Sequence, residues 1–207
     1  MSSSTTETKD QIISAAERLF AERGFAGTTL RNVVNEAGVN LAAVHYHFGS
    51  KEDLFRAVVA RFARPVVEQE LSRLAELRKG SELPSVEAIL TALFQPSLEI
   101  LSEDDQDTRL IRAQFMGRCR TEPEPIQSIA NQEFAVAVEA FLDTLQRVLP
   151  DQSRSQLAWK LDLVITALIR VLTEAGQPRA LLKSNSPEDT QATTEKLVRF
   201  LSPGMRA

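Results

Sequence analysis

The chain has 207 residues, 43% of them hydrophobic, enough for one sizeable core or for a small head joined to a larger body. Its single cysteine, Cys119, excludes an internal disulfide framework and suits a reducing, cytoplasmic setting. The net charge of −4 speaks against nucleic acid only as a sum: residues 1–64 carry eight Lys and Arg against seven acids, together with both histidines, and residues 65–207 carry sixteen against twenty-one.

The polar start, Met1 to Thr6, has no apolar run and is not expected to be a signal peptide. No stretch reaches about 18 uninterrupted apolar residues, so neither a membrane span nor a membrane partner is expected. Residues 157–172 come nearest and are interrupted by Lys160, Asp162 and Arg170.

Apolar positions repeat at helical spacing along the chain, and the glycines and prolines fall mostly between these patterns, which predicts an all-α fold. Thr8 and Gln11 form a capping box that opens a first helix carrying Ile12, Ala15, Ala16, Leu19 and Phe20, closed by Gly24. Thr28 or Thr29 caps a short second helix with Leu30, Val33, Val34 and Ala37, ended by Gly38. Asn40 caps a third helix running to about Phe48. Ser50 starts a fourth, with Asp53 as a weaker capping partner, extending to about Arg78. Pro65 inside it either kinks one helix or separates two. Gly80 to Pro84 reads as a linker, and further helices are expected near 84–102, 105–120, 125–149, 152–176 and 187–201. The organisation that follows is a tail and three-helix head over residues 1–50 and a multi-helix body over 51–207.

The informative stretch is Ala37-Gly38-Val39-Asn40-Leu41-Ala42-Ala43-Val44-His45-Tyr46-His47-Phe48-Gly49-Ser50-Lys51-Glu52. Two short helices meeting at a turn of about three or four residues that contains glycine make a helix-turn-helix, whose second helix fits the DNA major groove. Leu41, Val44 and Phe48 follow i, i+3, i+7 and are expected to face the core. Ala42, Ala43, His45, Tyr46 and His47 then point outward. Two alanines beside three polar rings are an odd solvent face but a sensible groove face: small residues allow close approach to base edges, and the rings can reach phosphates. Lys51 sits where a cation opposes the positive helix end, yet a helix N-terminus plus a lysine is a good phosphate site. Each residue also has a bland reading, as surface polarity or capping; their joint order is what points to DNA.

These residues resemble the DNA-binding domain of the TetR family of repressors over 8–56. The carriers are Ile13, Ala15-Ala16, Leu19-Phe20, Gly24-Phe25, Thr28-Thr29, Ala37-Gly38-Val39, His47-Phe48 and Ser50-Lys51-Glu52-Asp53-Leu54. The resemblance implies that Thr28, Thr29, His45, His47 and Lys51 hold phosphates, and that Asn40, Ala42, Ala43 and Tyr46 face bases. His45 stands where the family usually has tyrosine. Asn40 could pair with adenine and the alanine methyls could meet thymine methyls; pure N-capping is the alternative for Asn40. With few hydrogen-bonding side chains on that face, DNA shape is expected to contribute to recognition.

The body resembles the fatty-acid-sensing branch of the same family, through Val39-Asn40-Leu41-Ala42-Ala43-Val44, Gly117-Arg118 with Glu122-Pro123, and Leu157-Ala158-Trp159-Lys160-Leu161. Residues 153–176 are apolar nearly all round apart from a polar stripe of Asp162, Thr166 and Arg170, so that helix must be buried on most sides. The resemblance makes it part of a four-helix homodimer seam, formed by this helix and the last one from each subunit, with Leu161, Ile165, Leu168 and Leu172 at the interface; burial inside one protomer is the alternative. Between Arg109 and Arg120, Ile111, Phe115 and Cys119 form an apolar face flanked by Arg112 and Arg118. Arg112, Phe115, Arg118 and Cys119 are therefore the candidate ligand residues, the arginines anchoring an anion. Alternatively they are solvated or paired with acids such as Glu122, Glu124 or Asp107. Cys119, with no second cysteine to resolve it, reads as a core residue rather than a redox sensor.

The expected function is a dimeric, ligand-responsive transcriptional regulator, a repressor of a double-stranded, pseudo-palindromic operator released by a small effector. The aliphatic body suggests a fatty acid or acyl-CoA; the alternative is a regulator of an efflux or stress gene answering an unrelated hydrophobic compound. An enzyme is not expected: there is no nucleophile elbow, Walker loop, dinucleotide fingerprint or metal-spaced His/Cys set, and both histidines lie in the head. No cofactor or metal is expected either. A helical adaptor binding only proteins is the remaining rival.

Overall fold

A computed structural model describes residues 2–99, 106–119, 121–184 and 186–207. The regular elements among them are all helices: α1 (Ser2–Gly27), α2 (Leu30–Ala37), α3 (Leu41–Phe48), α4 (Lys51–Arg78), α5 (Val86–Glu99), α6 (Gln106–Cys119), α7 (Ile126–Val148), α8 (Arg154–Thr173) and α9 (Pro187–Arg206). The expected junction of the helices near 84–102 and 105–120 falls at residues 100–105, which lie outside the described residues, as does Arg120.

Local chemistry sets most boundaries. α1 breaks at Gly24 (φ 72°, ψ 176°) and ends three residues later. Of the two threonines, Thr29 caps α2: its hydroxyl accepts the Asn32 N–H, and the Asn32 side chain accepts the Thr29 N–H. Asn40 caps α3 and Ser50 caps α4. The Ser50 hydroxyl also donates to the Asp53 carboxylate (2.6 Å) and, with Arg56, holds that carboxyl below its usual range. Pro65 lies within one continuous α4. The bond it omits would have reached the Arg61 carbonyl, and both residues face solvent, where the loss costs least. α9 runs past its expected end at residue 201 because its last carbonyls are tied down: Gln152 Nε2 donates to the Met205 carbonyl (2.9 Å), and the buried Lys160 ammonium approaches the same oxygen.

α1 packs on α2, on α4 and, most extensively, on α6; α4 packs on α5 and α7; α8 joins α6, α7 and α9; and α9 lies along α5. One hydrophobic core runs through all of these layers. Where head meets body it is aromatic. Phe20 and Phe25 of α1 pack on Phe55 of α4 with centroids 5.2 and 5.5 Å away, and Phe55 packs on Phe115 of α6 at 5.8 Å. Each such pair adds roughly 0.5–1.5 kcal/mol beyond area burial. The angle at which α1 to α3 sit on the body is thus held by α6.

Candidate nucleic-acid interface and body cavity

Gly38 makes the turn between α2 and α3. Its φ of 66° and ψ of 28° lie in the left-handed region that side chains disfavour, and its N–H closes on the Val34 carbonyl. α3 then enters with Val44 and Phe48 buried. Leu41, expected on that core face, is instead 38% exposed. It is the first residue of the helix, and helical side chains lean toward the N-terminus, so it overhangs the open end of α3.

The outward face is narrower than the pattern suggested. Tyr46 is 80% exposed and Ala42 is exposed, but Ala43 is half-buried against the core and has little left to offer a base. Asn40 Oδ1 accepts the Ala43 N–H at 2.8 Å, so the capping role occupies the oxygen that a bidentate adenine contact would share. His45 is exposed, with its Nδ1–H donating to the Gly49 carbonyl at 2.9 Å. That fixes the tautomer: the neutral ring presents only an acceptor at Nε2, and a phosphate contact requires the imidazolium. His47 is half-buried between the rings of Tyr46 and Phe48.

Among the phosphate candidates, Thr28 must be withdrawn. It is fully buried, and its hydroxyl donates to the Gly24 and Leu19 carbonyls at 2.9 and 3.1 Å, closing the end of α1. Thr29 is exposed at the start of α2. Lys51 opens α4 with its ammonium 4.1 Å from the centroid of Phe25. Burial lowers its pKa, and the charges of Glu52 and Glu122 oppose that shift. A partly desolvated lysine at a helix N-terminus has less hydration to lose on meeting a phosphate.

In the body, residues of α4, α5, α6, α7 and α8 line a partly open cavity of about 30 Å³. Leu93, Met116, Phe134, Ile165 and Leu168 supply apolar wall, and Glu70 and Ser97 are its polar groups. None of the four candidate ligand residues lines it. Arg112 Nε pairs with the buried Glu17 of α1 at 3.4 Å. Arg118 donates to the Ala21 and Glu22 carbonyls of α1 at 2.8 and 2.9 Å. Phe115 is buried against Phe55 and Phe62, and the Cys119 thiol is buried with its S–H on the Met116 carbonyl. The side of α6 that was read as facing a ligand faces the head instead. Glu122, just beyond α6, completes that clasp by accepting the Phe25 N–H at 2.9 Å. The side chain of Arg109 lies outside the described residues.

The expected dimer residues are also corrected. Leu161, Ile165, Leu168 and Leu172 are buried within the protomer, and the last three line the cavity. Their stripe serves the chain's own α6 and α7. What α8 exposes are Trp159 and Leu163, 53% and 56% accessible, and α9 adds Phe200 at 81%. Glu70 was missed although its spacing marked it, since it continues the buried Ala63, Val66, Val67 stripe of α4 at i+3 and i+4.

Residues 12–58 match the family model for bacterial regulatory proteins of the tetR family, and residues 91–204 match that for the tetracyclin repressor-like C-terminal domain. The chain belongs to the TetR family. TetR-family relatives include the HTH-type transcriptional repressor BepR of Brucella suis, 32% identical over 48% of this chain and 46% of its own length. The HTH-type transcriptional activator FasR of Mycolicibacterium smegmatis is 24% identical over 96% of this chain and 83% of its own. The chain spans less than two thirds of the first curated relatives it matches: 46% of BepR and 63% of CecR from Shigella flexneri. Among solved structures, NalD, the secondary repressor of the MexAB-OprM multidrug efflux pump in Pseudomonas aeruginosa, superimposes with a TM-score of 0.66 at 23% identity, covering 97% of both chains. The fatty acid degradation regulator FadR of Bacillus halodurans gives 0.66 at 18% identity, covering 96% of both. These TetR-family relatives are transcription regulators, and among the described residues no helix is long and apolar enough to cross a membrane.

Proposed function

We propose that this TetR-family chain is a cytoplasmic repressor that binds a pseudo-palindromic operator as a homodimer and leaves it when a small hydrophobic effector enters the body cavity. Residues 1–50 act as the DNA-reading head and 51–207 as the effector and dimerisation body. The observation that carries the reading is the exposed face of α3, where Ala42 and Tyr46 stand out while Thr29, His45 and Lys51 sit at helix ends positioned to meet phosphates. The test is a shift and footprint assay on DNA upstream of the chain's own gene. A protected pseudo-palindrome with half-sites about 34 Å apart, or a small multiple of that, is expected. Binding with no preference for that DNA would reject the reading.

Side-chain roles separate within the same assay. Lys51→Ala is expected to weaken operator and random DNA by similar factors and to reduce the salt slope by about 0.9, one released counterion. Tyr46→Ala is expected to cost more on the operator than on random DNA. Equal losses for Tyr46→Ala would reduce that residue to a positioning contact.

The effector acts by binding the DNA-incompetent state better, and a tenfold loss of DNA affinity needs about 1.4 kcal/mol of such preference. Its wedge in the body changes the separation of the two recognition helices through α4. Two effector classes have support. The apolar lining suits a fatty acid or acyl-CoA chain, gaining about 0.8 kcal/mol per buried methylene. That class loses the anchor expected for its anionic end, because Arg112 and Arg118 are engaged by α1. An unrelated hydrophobic compound, in an efflux or stress response, fits the same apolar lining and needs no anionic anchor. The fold is shared with FadR and NalD alike, so the choice between classes rests on the lining.

A further inference from the structure

At the start of α2, Thr29 has both of its donors turned inward: its N–H and its hydroxyl meet Asn32 Oδ1 at 3.0 and 2.7 Å. It can bond a phosphate only by giving up part of the cap that starts the helix. Two residues on, Arg31 is exposed and makes no hydrogen bond or ion pair among the described residues. Elsewhere in residues 1–64, Arg18 pairs with Glu36, Arg56 with Asp53, and Arg61 donates to Ser14. For Arg31 the helix offers no such partner. The first turn of α2 holds no acid, and the residue one turn on, on the same face, is the exposed Asn35.

A solvent-facing arginine is ordinary; its place here is not. The guanidinium keeps its charge at any physiological pH, and it stands near the positive end of the α2 dipole, where a cation weakens the helix. Its planar fork of donors matches a phosphate oxygen pair, and in a helix-turn-helix the first helix crosses the DNA backbone while the second lies in the groove. We infer that Arg31, rather than Thr29, is the α2 side chain that holds the DNA backbone, fixing how α2 crosses the strand and so the register of α3. The inference rests on the reading of α3 as the DNA-reading helix.

The test uses the full-length protein and its Arg31→Ala, Arg31→Lys and Arg31→Glu variants. Operator and random duplexes are titrated over a salt series, and the melting temperature is measured without DNA. Arg31→Ala is expected to weaken both DNAs by a similar factor, about tenfold at low salt, and to reduce the magnitude of the salt slope by about 0.9 for each bound head. Arg31→Lys keeps its charge and is expected to keep the slope. Melting should move the other way from binding: Arg31→Ala and Arg31→Glu are expected to melt no lower than the unsubstituted protein, with Arg31→Glu the higher of the two and the weaker on DNA. A residue that only supported the head would lose melting temperature and affinity together, and that result overturns the inference. So does unchanged affinity in Arg31→Ala, a slope lost in Arg31→Lys, or a loss confined to the operator, which would put Arg31 on a base edge. Failure of the unsubstituted protein to prefer its operator would instead reject the DNA-reading assignment of α3, so the two failures are distinct.

Discussion

Leu163→Glu combined with Phe200→Glu is expected to turn the protein into folded monomers and to lower operator affinity by about 10²-fold or more, the loss of linkage between two half-site contacts. Leu163 and Trp159 lie one turn apart on α8, and Phe200 lies on α9, which packs beside it. Scattered exposed apolar residues are ordinary, but three large ones on two adjacent helices mark a surface that water contacts poorly. A glutamate at an exposed position changes protomer stability by only about 0.5 kcal/mol, so the melting transition at low protein concentration should move little. Ile165→Glu is the contrasting variant. It sets a charge in the protomer's own core beside the cavity and should remove cooperative melting altogether. Sedimentation and an operator titration read both effects. A Leu163→Glu, Phe200→Glu protein that still sediments as a dimer would move the interface off α8 and α9.

The contrast between Leu163 and Ile165 shows where sequence reasoning stopped. Most helix positions and the caps at Asn40, Ser50 and Gly38 were legible because they are local, each satisfying or terminating a backbone within a few residues; the expected capping box at Thr8 and Gln11 was not, because α1 already runs from Ser2 and both residues lie inside it. That α8 is buried was legible too, from its apolar residues on nearly every side. Which side meets the same chain was not. A helix apolar all round carries no mark distinguishing its own core from a second copy's, and here the densest stripe, Leu161 to Leu172, serves the protomer. The outer, sparser set of Trp159 and Leu163 was left over.

The same limit governed α6. Phe115 and Cys119 were correctly read as an apolar face, yet the pattern could not say that Arg112 and Arg118 beside it reach back to α1, residues 17–22, almost a hundred positions earlier. Thr28 failed differently. A threonine at a helix start is equally suited to a phosphate and to the carbonyls of the preceding helix, and only the packing of α1 decides for the latter. Glu70, an acid at a core position of α4 that lines the cavity, was marked by the pattern without being noticed.

Gly117→Ala is expected to destabilise the protein by about 1–3 kcal/mol, the usual range for forcing a methyl into a filled site. A Cβ added at Gly117 would stand 2.0 Å from Thr173 Oγ1 and 2.8 and 2.9 Å from its Cα and Cβ. Turning the threonine relieves only the first contact and gives up its hydrogen bond to the Ile169 carbonyl (2.8 Å). The other two involve the main chain and the stem of the side chain, so α6 must separate from the end of α8. Gly117 stands between Met116, which lines the cavity, and Arg118, which holds the last carbonyls of α1. A methyl there therefore pushes on the helix that links the cavity to α1. Besides a fall in melting temperature of roughly 2–4 °C per kcal/mol, measured at fixed protein concentration, operator affinity should drop with no effector present. Thr173→Gly in the Gly117→Ala background removes the Oγ1 and Cβ contacts and should restore part of that affinity even though it adds a flexible residue at the end of α8. A Gly117→Ala protein that melts and binds its operator as the unsubstituted one does would show that α6 and α8 have slack at this crossing, and that α6 does not transmit strain to α1.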